Sequence, residues 1–346
     1  MSFRRDDLSP MPTIRDVATM AGVTIGTVSR YLNGHRVRPK NARCIESAIK
    51  ATGYQVNHFA RSLRNGRSFA VGVVIQEFPD ISATIMAGVI EEVLNEAGYS
   101  MVVCDYKKDP GLLENRLSFL LERSVDGAIL FSSPFRVPVL DRFQKEGVPV
   151  VIVGEELVEF HTDKIQLDDH AAGMMGAKVF LDAGHDRIAV INGPKDSTVA
   201  AGRYDGWITA LGRAGRSQDE SIVRWSDFST HGGYDAMASI VQSRNPPTGV
   251  FVTNHYMTVG ALMAINETRL RVGQEISFVG FDRFDPMVLF KPTLTVIHRP
   301  IEQMARETAQ LLLRRMQGDI TDYPKRQAFG PSMHHGQSVK DLTQSR

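Results

Sequence analysis

This chain of 346 residues has only two cysteines and two tryptophans. It holds no apolar run near the roughly 20 residues that a membrane-spanning helix needs. No apolar segment follows its Arg-rich first residues, as one would in a secretory leader. Two cysteines cannot build a disulfide framework. Cys44 falls in a predicted helix and Cys104 in a predicted strand, so both are expected as buried small apolar residues. No His and Cys set has metal-ligand spacing; His334-His335 has no Cys or acidic cluster beside it, and adjacent side chains diverge in an extended segment. A Gly-x-Ser-x-Gly elbow and a P-loop are also missing. The expectation from these absences is a cytoplasmic protein that is not an enzyme and carries no cofactor or metal.

Charge of either sign is scarce as a net quantity, with 40 Lys plus Arg against 39 Asp plus Glu, but it is unevenly placed. Residues 1–67 hold 12 of the basic and 4 of the acidic residues, leaving 28 basic and 35 acidic in the rest. A basic head on an acidic body is the electrostatic footprint of a phosphate-binding module. The length suggests two or three domains.

Within the head, Ile14, Val17, Ala18 and Ala21 fall at helical spacing, the phase breaks at Gly22, and a second phase runs through Val28, Tyr31 and Leu32. Gly22 can take the positive φ of a helix end, Ala18 allows a close crossing, and Thr24 is a natural N-cap. Val28 then faces inward, leaving Ile25, Gly26, Ser29 and Arg30 outside. This is helix-turn-helix geometry, whose second helix enters the DNA major groove. A third helix starts near Pro39 and ends near Gly53, with Ala42, Ile45, Ala48 and Ile49 as its apolar stripe. The predicted core is Val17, Ala18, Val28, Leu32, Ile45 and Ile49.

Ile14-Arg15-Asp16-Val17-Ala18, Ala21-Gly22-Val23-Thr24, Thr27-Val28-Ser29-Arg30 and Asn33-Gly34 resemble the signature of the lactose-repressor (LacI) family of bacterial transcription regulators. The resemblance implies a homodimeric repressor that reads a pseudo-palindromic operator in double-stranded DNA under the control of a small molecule. Arg30 is expected to form a bidentate contact with guanine, and Ile25 and Gly26 to set base preference. Arg15, Ser29 and Asn33 are expected on phosphates, with Thr24 and Thr27 in the same DNA-binding face. Asn57 to Leu63 resembles the family's hinge helix, with Asn57, Ala60 and Leu63 at the DNA and Leu63 matching the leucine wedged into a minor-groove step. Val56 stands where the family commonly has Pro, which loosens the approach to that hinge.

From Phe69 onward short apolar strands alternate with helices. Phe69 to Ile75, Ser100 to Tyr106, Gly127 to Phe131 and Val148 to Val153 form one series; Ile188 to Ile191, Gly249 to Thr253 and Ile276 to Phe281 form another. Helices are predicted over Ile85 to Ala97, Leu112 to Arg123, Ala171 to Leu181, Ala201 to Ala214, Thr258 to Glu267 and Ile301 to Arg315. The expected fold is an all-α three-helix helix-turn-helix domain with a hinge helix, then a two-lobed α/β body of two doubly wound parallel sheets, similar to periplasmic binding proteins. The expected boundaries are a disordered extension over 1–12, dispensable if translation starts at Met11, then the helix-turn-helix domain over 13–56 and the hinge over 57–67. An effector and dimerisation domain follows over 68–330 (first lobe 68–165 and 298–318, second lobe 166–297 with a tail strand), and then a polar tail over 331–346.

Ligands of such sheets bind beyond the carboxyl ends of the strands, here between the lobes. The resemblance assigns effector roles to Arg203, Phe228, Asn254 and Asp282. A guanidinium, an amide and a carboxylate suit neighbouring hydroxyls, so a carbohydrate or polyol is expected. The alternative for Arg203 and Asp282 is an interlobe ion pair; for Phe228 it is core packing. The chain departs from the family at His255, where Asp is usual, and at Asp80-Ile81-Ser82-Ala83-Thr84, which lacks the frequent aromatic pair. It departs again at Gly154-Glu155-Glu156; Glu155, Glu156 and Asp105 favour a cationic or polyol ligand or are solvated loop residues. No leucine heptad follows Gly318, so a dimer is expected rather than a tetramer. The rival classes are a sugar-transport binding protein, which has no use for a basic head, and an enzyme, for which no nucleophile or cofactor motif exists.

Overall fold

A computed structural model describes residues 12–32, 35–54, 67–131, 135–154, 160–282 and 291–343. The chain divides into two compact units, Met1–Phe69 and Ala70–Arg346. The expected hinge residues Asn57, Ala60 and Leu63, the expected phosphate contact Asn33, the acids Glu155 and Glu156, and residues 1–11 of the expected extension all lie outside the described residues.

The first unit contains helices α1 (Ile14–Ala21), α2 (Ile25–Leu32) and α3 (Pro39–Thr52). The amide and hydroxyl of Thr13 both donate to the Asp16 carboxylate, at 2.7 and 2.8 Å, which starts α1 and holds the Asp16 carboxyl below its ordinary range. Gly22, at φ 64°, ends α1 in the left-handed conformation. Thr24 caps α2 by accepting from the Thr27 amide, and the two threonine hydroxyls bond to each other at 2.9 Å. Val17, Ala18, Val28, Ile45 and Ala48 form the buried core, with Leu32 and Ile49 packed partly exposed against it. Cys44 corrects the sequence expectation, because Ile45 takes the inward position and its neighbour, about 100° round the helix, is exposed.

In the second unit one sheet has the order β11-β5-β4-β3-β1-β2 and the other β12-β10-β9-β8-β6-β7. The first comprises β1 (Ala70–Ile75), β2 (Ser100–Asp105), β3 (Gly127–Phe131), β4 (Val150–Val153), β5 (Asp163–Leu167) and β11 (Arg326–Phe329). All its pairings are parallel, Val71 lying between Met101 and Gly127. The second comprises β6 (Ile188–Asn192), β7 (Val223–Trp225), β8 (Gly249–Val252), β9 (Ser277–Phe281), β10 (Thr295–His298) and β12 (Ser332–His334), antiparallel only at β10–β12.

Helices cover both faces of each sheet, as continuous apolar strands require. Helices α4 (Ile81–Glu96) and α11 (Ile301–Met316) pack on one face of the first sheet, and α5 (Pro110–Glu122) and α6 (Val139–Lys145) on the other. On the second sheet α7 (Asp169–Asp182) and α8 (Thr198–Arg213) cover one face, and α9 (Thr230–Val241) and α10 (His255–Asn266) the other. The chain passes between lobes three times, from β5 into α7, from β10 into α11, and from β11 into β12.

One feature of the C-terminal region differs from expectation. Residues 331–343 are not a loose tail: β12 extends the second sheet, and the buried Ser338 accepts from the Thr295 amide and donates to the Phe278 carbonyl. His334, placed by that strand, belongs to no metal-ligand cluster among the described residues. Helix α11 is anchored to the first lobe by Arg315, which meets the fully buried Asp163 of β5 through two bonds of 2.8 and 3.0 Å. That carboxylate holds the guanidinium above its ordinary pKa.

Candidate functional site

The expected site residues lie on two separate surfaces. On the first unit, α2 buries Val28 completely and turns the opposite face outward, with Ile25 42% exposed and Gly26 and Arg30 exposed. The side chains of Arg15 and Arg30 form no hydrogen bond or ion pair among the described residues. Thr24 and Thr27 are held at the start of α2 by the cap, and Ser29 is half-buried beside Arg30. A Cβ added to Gly26 would meet only the Thr24 hydroxyl, at 3.9 Å, so neither backbone conformation nor packing calls for glycine there.

In the second unit the carboxyl ends of the strands face a cleft between the lobes with a cavity of about 160 Å³. All four expected effector residues, Arg203, Phe228, Asn254 and Asp282, line it. Arg203 comes from α8 and is 5% exposed. Its position depends on a close approach of α7 and α8: a Cβ on Gly173 would lie 1.8 Å from the Arg203 carbonyl, and one on Gly206 1.9 Å from that of His170. The Arg203 Nε donates to Asp169 at 2.9 Å, Nη1 donates to the Thr253 carbonyl, and the guanidinium lies 4.1 Å from the Phe281 ring centroid. Burial raises the Asp169 carboxyl and draws the Arg203 guanidinium down, and each partner opposes the shift of the other.

Asp282 follows β9 at φ 56°, a left-handed backbone rare outside glycine, and is 1% exposed. Its carboxylate accepts from Arg299 Nε at 3.0 Å and from Nη2, while Arg299 Nη2 also donates to Ser82 of the first lobe at 2.7 Å. Each of the two predicted charges is thus ion-paired, Arg203 with Asp169 and Asp282 with Arg299, and neither pair is the expected one between lobes. Asn254 caps α10 by accepting from the Met257 amide, leaving its amide nitrogen outside that bond. Phe228, also left-handed at φ 63°, lies over Gly193, where a Cβ would meet its ring at 2.1 Å. The ring both packs on the second-lobe core and lines the cavity, so the two alternatives for it are not exclusive. His255 is 7% exposed, and burial pulls its imidazole below the ordinary range despite nearby Asp282.

The sequence reading missed Asp169, Arg299, Ser82 and Tyr256. Asp169 follows β5 and Arg299 follows β10, two strands too polar or short to be read, so the rule that ligand groups follow strands could not be applied to them. The Asp80 carboxylate caps α4 through the Ser82 and Ala83 amides, which moves the helix start from the expected Ile85 to Ile81. Asp105, by contrast, is not among the cavity-lining residues.

Family models match two segments: bacterial regulatory proteins, lacI family, over residues 13–57, and a periplasmic binding protein-like domain over residues 177–339. The chain is 31% identical over 308 residues to the ribose operon repressor of Escherichia coli strain K12, covering 88% of this chain and 93% of that protein. It is 28% identical over 336 residues to the HTH-type transcriptional repressor PurR of Actinobacillus pleuropneumoniae serotype 3, covering 96% and 99%. The crystal structure of the lac repressor dimer bound to operator and the anti-inducer ONPF matches with a TM-score of 0.84 at 25% identity, over 96% of this chain and all of that one.

Proposed function

This chain belongs to the lacI family of bacterial regulatory proteins, and from that premise we propose that it is a cytoplasmic repressor that binds a pseudo-palindromic operator as a homodimer and responds to a neutral, sugar-like molecule in the cleft. It is a transcription regulator rather than an enzyme. The observation that carries the DNA reading is the division of α2, with Val28 sealed in the core and Ile25, Gly26 and Arg30 presented outward. Arg30 reads a guanine; Ile25 and Gly26 set the neighbouring preference; Arg15, Thr24, Thr27, Ser29 and Asn33 hold the backbone. Asn57, Ala60 and Leu63 act at the centre of the site, Leu63 as the wedge.

Internal charge compensation supports a neutral effector. Asp169 is paired with Arg203 and Asp282 with Arg299, so a phosphorylated ligand would have to break one of these pairs or draw the lining Lys108 from its solvent-exposed pair with Glu77. Phe228 offers an apolar face to a sugar ring, while Arg203, Asn254 and Asp282 offer donors and acceptors at its edge. The Escherichia coli relative is named for a ribose operon, which agrees with a sugar. The homodimer is supported by the first lobe, whose edge strand β2 has no outer neighbour among the described residues and whose α4 region exposes Phe78 and Ile85.

Selection from a randomised duplex pool at fixed salt tests the reading. Enrichment of a pseudo-palindrome is expected, and its absence would move the primary function to the cleft. The enriched duplex then serves as the probe for D-ribose, D-glucose and D-ribose 5-phosphate. Release or tightening by a neutral sugar supports the effector class, and a response to the phosphate alone refutes it.

A further inference from the structure

We propose that Tyr256 is a positioning residue that holds the first turn of α4 to the second lobe and so sets the resting lobe arrangement on which an effector acts. The proposal rests on the regulator reading above. Tyr256 is the second residue of α10, following Asn254 and His255, and all three line the cleft. Its hydroxyl crosses to the first lobe, donating to the Pro79 carbonyl at 2.6 Å and accepting from the Ile81 amide at 3.1 Å.

Those two partners matter because Ile81 opens α4. A first-turn amide has no partner within its own helix and must find one elsewhere. Asp80 takes the next two amides, of Ser82 and Ala83, at 2.9 and 3.1 Å, and the Tyr256 hydroxyl takes that of Ile81. Ser82, one residue on, accepts from Arg299, which in turn grips Asp282. Residues 79–82 therefore receive both a bond from the effector-bearing end of α10 and a bond from the crossover into α11. Burial raises the Tyr256 phenol above its ordinary pKa, so it remains a donor throughout the neutral range.

The same helix start fixes Asn254 and Tyr256, so a ligand that draws on the Asn254 amide or on the Arg299–Asp282 pair pulls on the groups that hold α4. Two lobe arrangements that differ in these bonds have different ligand affinities, and that difference is the coupling. Removing the hydroxyl while keeping the ring shifts this balance with little change in packing.

The test uses the full-length chain and its Tyr256→Phe and Ser82→Ala variants, without ligand, and reads two quantities. Amide hydrogen exchange over residues 80–83 should rise about fivefold or more in Tyr256→Phe and less in Ser82→Ala. The rise should be confined to that turn, and affinity for the selected operator should shift several-fold in the same variant. Unchanged exchange at Ile81 overturns the latch, and a rise spread through both lobes reduces Tyr256 to general packing. A local rise with unaltered operator affinity overturns its regulatory role. If the unmodified chain selects no operator, the regulator reading itself fails, while the exchange data still decide whether the latch exists.

Discussion

The recognition face of α2 and the cleft of the body treat their polar residues in opposite ways. Arg30 stands exposed with no protein partner among the described residues, whereas Arg203 is buried and bonded to Asp169 and Thr253. The partner proposed for each surface accounts for the difference. Phosphates and base edges arrive with their own charge and hydrogen-bonding groups, so an uncommitted guanidinium costs the free protein nothing in solvent. A buried cleft holds its polar groups out of water, and each must be satisfied within the protein. Function can therefore be removed from the first surface without touching stability, but not from the second.

Arg203→Ala is expected to have the largest effect. It strands the Asp169 carboxylate in a buried site, so urea unfolding should show a loss of about 3 to 5 kcal/mol along with loss of any effector response. A stability change below about 1 kcal/mol would mean that the cleft pair is as dispensable as a surface pair, and the contrast would fail. Arg30→Ala comes next. Affinity for the selected operator should fall by about 1 to 3 kcal/mol with relaxed preference at one base pair, and the unfolding midpoint should not move. Equal selectivity in the variant would remove Arg30 from base reading.

The two surfaces should also part on acidification. Burial lowers the imidazole pKa of both His185 and His255 in the folded chain. A folded pKa below the unfolded one means that the unfolded chain binds the proton first, so this contribution is present above the unfolded value of about 6.5 and is lost as pH falls through it. Denaturation midpoints between pH 7.5 and 5.5 should drop, and His255→Gln should flatten the drop. An identical slope in that variant would show that its imidazole does not sense the fold. Gly26→Ala should give the smallest change. The new methyl has room, so the first unit should gain up to about 1 kcal/mol in thermal unfolding, while the operator sequence selected should change if the missing side chain is part of the readout.

Legibility follows the same division. In α1 to α3 nearly everything was readable, because short helices announce themselves by period, cap and terminal glycine: Thr24, Pro39, Gly22 and Gly53 all stand where those rules put them. In the body the apolar strands β1, β3 and β9 were readable as runs. By contrast β5, with Asp163, Lys164 and Gln166, looks polar and gains strand character only by lying between β4 and β11. The short β7, β10, β11 and β12 are likewise products of pairing. Asp169 and Arg299 went unseen because they sit at the ends of two of those strands.

What the sequence by itself determined is the set of local structures whose causes are local: helix phase, caps, turn glycines, the basic head, and the apolar strands that compel an α/β body. The family resemblance, rather than any local signal, pointed to Arg203, Phe228, Asn254 and Asp282, which line the cleft. Only the tertiary structure decided that Asp169 answers Arg203, that Arg299 answers Asp282, and that Tyr256 reaches Pro79 and Ile81. Residues 34 and 17 positions apart in the chain become neighbours only when the second lobe folds, and those more than 170 apart only when the two lobes face each other. A buried charge selects its partner by distance and desolvation, quantities that the order of residues does not contain.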